Sequence, residues 1–296
     1  MAVIGPTAAA GAPQPVPGST AGDAWRSFRT AIRLGWAIES NWSDPFLFAV
    51  YTLAKPLAAA LILVVMFEVV TGGQGTEFLQ FMIIGAALWN VVYGVLAGLV
   101  QSILEDRERY RMMKYVVVTP SSLFPFLLGR SIARVGASLV AVVVTIAIGV
   151  VFLGVELRPN ALILVPATVL GLLAVMALGI IMAGWCLQLR QEAWSYPEAV
   201  AGALYLVSGA IFPVAILPDA VEPIAWALPT TWWLEASRRG LLGHGSTDAI
   251  GNLGDGTVLL LLAVTTAIAV PLSLAAFRWF MRRAREAGLL DMVTGS

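Results

Sequence analysis

Residues 161–187 read ALILVPATVLGLLAVMALGIIMAGWCL, 27 consecutive positions without one charged side chain. An α-helix rises 1.5 Å per residue, so about 20 mainly apolar residues cross the roughly 30 Å hydrocarbon core of a bilayer. This segment meets that requirement, and so do five others, at about 45–70, 78–104, 122–153, 195–217 and 256–281. The 122–153 segment is long enough to begin as a cytoplasmic helix, because Arg130 and Arg134 fall in its first turns. The 195–217 segment is opened by Pro197 and interrupted near its far end by Pro213 and Pro218. The expected fold class is therefore an all-α integral membrane protein with six transmembrane helices.

Composition agrees. Of 296 residues 59% are hydrophobic and only 12% charged, against about a quarter charged in soluble domains. The formal net charge is zero, which points away from a nucleic-acid partner. One cysteine, Cys186, excludes an internal disulfide, and one histidine, His244, excludes clustered imidazole metal sites. The first 22 residues, rich in Ala, Gly and Pro, lack the basic and apolar regions of a signal peptide and read as a disordered tail. Residues 286–296 read as a cytoplasmic C-terminal tail.

Orientation follows the distribution of Arg and Lys. The connections after the second and fourth spans carry Arg107, Arg109, Arg111, Lys114 and Arg190. The flanks add Arg26, Arg29, Arg33, Arg278, Arg282, Arg283 and Arg285, against Arg158, Arg238 and Arg239 on the opposite side. A multi-pass protein of the cell membrane with both termini cytoplasmic is expected. Ahead of the spans, residues 23–44 contain DAWRSFRTAIRLGWAIESNW. Trp25, Phe28, Ile32 and Trp36 recur there at helical spacing beside a stripe of Arg26, Arg29 and Arg33. That pattern predicts an amphipathic helix in the interface, with its guanidinium groups on lipid phosphates; the bland reading is an ordinary helix packed on protein.

Two connections carry more than topology. The cytoplasmic stretch EDRERYRMMKYVVVTPSSLFPFLLGR begins at Glu105, and it predicts a helix over about 105–118 ended by Thr119-Pro120. Arg107, Glu108 and Arg109 are interleaved with Tyr110, Met112, Met113 and Tyr115. Aromatic and Met side chains among charges suggest a docking surface for another protein. On the outer side, residues 211–243 read IFPVAILPDAVEPIAWALPTTWWLEASRRGLLG. Apolar backbone broken by Phe212-Pro213 and Pro218 implies short re-entrant helices, shielded by protein or bordering a cavity. Trp226, Trp232 and Trp233 are expected at headgroup level. An outer cap lying on the membrane is the alternative.

Together these segments resemble the ABC-2-type transporter permeases, the type V ABC exporters. The cytoplasmic loop leads through an apolar run to Thr119-Pro120 and then Gly129, as in that family. The outer segment follows its fifth-span signature of Ser-Gly, Phe-Pro, Leu-Pro and a Pro-led helix ending in Arg and Gly. Where many members carry Gly and an acidic residue before the Thr-Pro, this chain has Arg111 and Lys114. The resemblance implies a transport subunit, not itself an enzyme, that exports a drug, lipid or lipid-linked glycan. It implies a separate ATPase subunit in two copies holding ATP and Mg, and a second copy of this chain or a paralogue. Residues 105–118 would then be the coupling helix. No Gly-x-x-x-x-Gly-Lys-Ser/Thr loop occurs, and the only lysines are Lys55 and Lys114, so the chain has no phosphate cradle and binds no cofactor of its own.

Within the first span, Lys55 lies about ten residues in, some 15 Å along the helix. It either lines the path, favouring anionic substrates, or snorkels to the cytoplasmic headgroups. Asn90 and Tyr93 of the second span are further candidates for the path; hydrogen bonding between helices is the commoner role for such an Asn. Intramembrane hydrolysis is disfavoured because no Asp pair or facing Ser and His lies within the spans. An ion-coupled secondary transporter remains the alternative, although acidic residues at mid-depth are not evident.

Overall fold

The computed structural model describes residues 21–39, 76–109, 123–189, 195–245 and 250–289, with isolated positions from Val50 to Gly72. The described elements are helices: α1 (Ala21–Glu39), α2 (Thr76–Leu104), α3 (Leu123–Leu153), α4 (Ala161–Cys186), α5 (Tyr196–Val207), α6 (Glu222–Ala227), α7 (Pro229–Leu242) and α8 (Asp255–Glu286). A π-helical turn, Glu105–Arg109, continues α2, and a 3-10 turn, Val214–Ile216, precedes α6. The described positions of the first expected span are helical; Ala54, Ala58, Leu61 and Val65 are exposed and Met66 is half-buried.

Among the described residues, three stretches are long and apolar enough to cross a membrane: Glu77–Glu108, Ala161–Cys186 and Asp255–Glu286; a shorter apolar stretch, Ser138–Leu153, forms the second half of α3. The expected second, third, fourth and sixth segments thus coincide with continuous helices. The fifth does not. Its helix ends at Val207 after 12 residues, about 18 Å of rise and well short of the hydrocarbon thickness. Gly209 then turns the chain with φ 73°, and Pro213 leads into the 3-10 turn. A left-handed residue followed by proline cannot continue a helix.

Helix α2 is the central post. It packs against α3, α4, α5 and α7, and 83% of its most apolar stretch is buried, against 33% for α4 and 28% for α8. The outer helices bury one stripe only. On α8, Val258, Leu262, Thr266, Ala269, Ser273, Phe277, Met281 and Ala284 face inward at helical spacing, while Leu260, Val264, Ile268 and Leu272 are exposed. Apolar residues on both faces suit a helix with protein on one side and lipid on the other. Contacts between helices are made at small residues, as expected where lipid removes the hydrophobic drive to associate. A Cβ on Gly171 would overlap the Trp233 ring, one on Gly179 would lie 2.6 Å from Leu99, and one on Gly184 would lie 3.0 Å from Phe280.

Helix α1 lies along α3. Ala31 and Gly35 are buried, Phe28 and Ile32 half-buried, and the contact closes on Gly129, where a Cβ would lie 2.7 Å from that of Ala31. Trp25 and Trp36, expected on one face with Phe28 and Ile32, are each 63% exposed. The small pair Ala31 and Gly35 admits close packing, and the bulky indoles are turned away from it. Arg26, Arg29 and Arg33 are also exposed. The expected N-terminal tail, up to residue 20, and the end of the C-terminal tail lie outside the described residues.

Candidate functional site

Helix α7 sets a physical problem. Every residue from Pro229 to Gly240 is buried, although the helix carries Thr230, Thr231, Glu235, Ser237, Arg238 and Arg239. Burying a charge is costly unless it is paired and hydrogen-bonded. Arg239 uses both faces of its guanidinium. Its Nε donates to Glu235 at 2.8 Å, one turn back, and Nη1 donates to Asp255 at 2.9 Å and to the Leu253 carbonyl at 2.6 Å. Nη2 donates to the Ile250 carbonyl at 2.8 Å. Asp255 opens α8, so Arg239 ties the two helices together.

Arg238 reaches the other way. Its Nη2 donates at 2.8 Å to the carbonyls of Gly209 and Ala210, and its guanidinium lies 3.5 Å over the Phe81 ring of α2. Gly85 leaves the room: a Cβ there would collide with the Ala210 carbonyl and Arg238 Nη2. The break after α5 is therefore held by α7. The two charges of Glu235 and Asp255 offset those of Arg238 and Arg239. The tryptophans expected at headgroup level belong to the same packing. Trp232 and Trp233 are buried in protein, and Trp226 is half-buried. Trp232 Nε1 donates to the Trp226 carbonyl at 2.8 Å, and the two rings meet edge to face at 5.5 Å. Shielding by α2, α4 and α8 explains the difference from a lipid-facing belt. Phe212 and Pro218 are exposed and Pro213 half-buried.

At the other end of α2, Arg107 and Asp106 are buried. Arg107 Nη2 donates to Glu108 at 2.6 Å and Nη1 points to the Leu187 carbonyl at 3.5 Å, just past the end of α4. The sequence placed Arg107 on a docking surface. The structure turns it inward instead, because α2 continues through the charged run as a π-helical turn that presents this side chain to α4. Tyr110, Met112, Met113 and Tyr115 lie outside the described residues, as does the side chain of Arg109.

Of the expected path residues, Lys55 lies outside the described residues. Asn90 bonds within its own helix, to the Ala86 carbonyl at 3.1 Å, and among the described residues not to a neighbouring helix. The Tyr93 hydroxyl donates to Glu198 of α5 at 3.1 Å. About four to five turns of helix separate Tyr93 and Asn90 from Arg107, so the path candidates and the charged end of α2 are distinct places. Glu198, Glu235 and Arg238 were not singled out from sequence. Glu235 and Arg239 at i and i+4 were a visible pair, but nothing local indicated burial.

A family profile described as ABC-2 type transporter matches residues 29–242, more than half the chain, from within α1 to the last residue of α7. No curated protein matches the chain. The match covers the central post, the broken fifth segment and the buried Arg-bearing helix together. This chain belongs to the ABC-2 type transporter family and is the membrane-spanning permease subunit of such a transporter.

Proposed function

We propose that the chain forms the transmembrane path of an ATP-driven exporter, with hydrolysis on a separate ATPase subunit bound from the cytoplasm. The observation that carries this reading is the family match to a chain with no phosphate loop of its own. Two copies of this chain, or one with a paralogue, enclose the path, and two ATPase copies hold ATP and Mg. In this reading six segments cross the membrane, the fifth as α5 together with the broken backbone that follows it, both termini are cytoplasmic, and α1 lies at the inner interface with Trp25, Trp36 and the arginines toward lipid. Residues 105–118 are the coupling helix, with Tyr110, Met112, Met113 and Tyr115 as the anchors in the ATPase. Arg107 has a different task. By tying the end of α2 to Leu187 it links the loop to both α2 and α4, so that a push on one loop moves two helices. Cargo leaves the cytoplasm or inner leaflet and is amphipathic: a drug, a lipid or a lipid-linked glycan. The test is hydrolysis and transport by the chain reconstituted with its ATPase. Turnover should require both polypeptides, and transport without ATP would exclude the reading.

A further inference from the structure

Glu198 occupies the last position of a Ser-x-x-Glu sequence, the spacing of a capping box at a helix start. The box does not form: Ser195, the N-cap of α5, makes no side-chain capping bond. The Glu198 carboxylate is instead directed across to α2, where the Tyr93 hydroxyl donates to it at 3.1 Å. Tyr93 lies eleven residues before Leu104, about 16 Å by helical rise. The acid therefore sits along the apolar length of α2 and not at its charged end. Glu198 is exposed on the face of the subunit, and among the described residues no Lys, Arg or His pairs with it. An ionised carboxylate on the surface of a membrane helix is costly unless it meets a cation or a water-filled path.

An aromatic pair stands beside each of the two residues along its helix. Trp89, one turn from Tyr93, packs on Tyr205 with ring centroids 5.0 Å apart, and Trp185 meets Tyr196 edge to face at 5.5 Å. Ring faces carry negative quadrupole density and attract cations, the more so when water is excluded. A carboxylate oriented by a phenol, with one aromatic pair a turn from Tyr93 and another starting two residues from Glu198, has the chemistry to take a lipophilic cation. We infer that Glu198 and Tyr93 form a subsite on the transport path that binds a hydrophobic cation. The inference rests on the transport reading and gives it a substrate class. It is opposite in sign to the anion preference that Lys55 would impose.

The test uses the full chain in nanodiscs and an isosteric pair of probes, tritiated tetraphenylphosphonium and unlabelled tetraphenylborate. The cation should bind saturably, and the borate should not displace it. Glu198→Gln should weaken binding about tenfold or more, the usual effect of losing a charged partner. Glu198→Asp should restore it to within a few-fold, and Tyr93→Phe should weaken it a few-fold, each judged on protein that elutes as a single species. Absence of saturable cation binding by the unaltered chain overturns the inference, as does equal displacement by the borate or normal affinity in Glu198→Gln. Because no ATPase takes part, failure of ATP-driven transport would overturn the proposed function and leave this result standing.

Discussion

The Arg238 guanidinium lies 3.5 Å over the ring of Phe81 while donating to the carbonyls of Gly209 and Ala210. One side chain thus joins the N-terminal half of α2 to the break that follows α5. The break needs such a partner, because carbonyls at an interrupted helix have no hydrogen-bond donor in their own segment. Arg238→Ala leaves them bare and should lower stability by about 1–3 kcal/mol. Arg238→Lys should recover only part, lacking the planar fork and the stacking. Phe81→Leu should cost about 1 kcal/mol. Thermal unfolding midpoints in detergent measure all three, and an unchanged midpoint in Arg238→Ala would refute the clamp.

Glu235 and Arg239 are both buried and bonded at 2.8 Å, whereas Asp255 is 55% exposed. Removing one member of a buried pair strands the other charge, which costs about 3–5 kcal/mol. Glu235→Gln should therefore be severely destabilising and Asp255→Asn mild, since solvent screens the outer contact. A double-mutant cycle on Glu235 and Arg239 should show strong coupling; additive losses would contradict the pairing.

Gly171 makes room for the Trp233 ring. Gly171→Ala forces the indole or α4 to move, an overpacking that should cost about 1–3 kcal/mol. Gly136→Ala, on α3 with nothing within 4 Å of the new Cβ, is the control and should unfold at the normal temperature.

Long uncharged runs made α2, α3, α4 and α8 legible in the sequence, because one helix-length of apolar residues has few other uses. The broken fifth segment was partly legible: Pro213 and Pro218 were visible, but the stop at Val207 depends on the left-handed turn at Gly209. Burial was the harder property. Trp232 and Trp233 suit a membrane interface as well as a protein interior, and only the notch at Gly171, 62 residues away in sequence, decides between them. Arg107 and Arg238 both count as loop charges when orientation is read, while their side chains point inward. Long-range contacts are not written in local patterns. The coupling between Tyr93 and Glu198 has the same cause, since 105 positions separate the two.

Variants in residues 105–118 separate anchoring within the chain from docking outside it. Tyr110→Ala with Met112→Ala should leave folding intact while reducing ATPase association or uncoupling hydrolysis from transport, because a few aromatic and Met anchors carry most interface energy. Arg107→Ala should instead lower the stability of the isolated chain, since it removes a contact with Leu187. Co-purification yields and unfolding midpoints of the two variants distinguish these outcomes; a stable Arg107→Ala chain would show that the inward contact is dispensable.

The most direct test of a permease driven by a separate ATPase is turnover with and without the partner, in vesicles held free of any ion gradient. The purified chain alone should hydrolyse no ATP and move no tetraphenylphosphonium. With its ATPase it should do both, and replacing the phosphate-loop lysine of that partner should abolish both. Movement of the cation by this chain alone, driven by an imposed proton or sodium gradient and indifferent to ATP, would contradict the account.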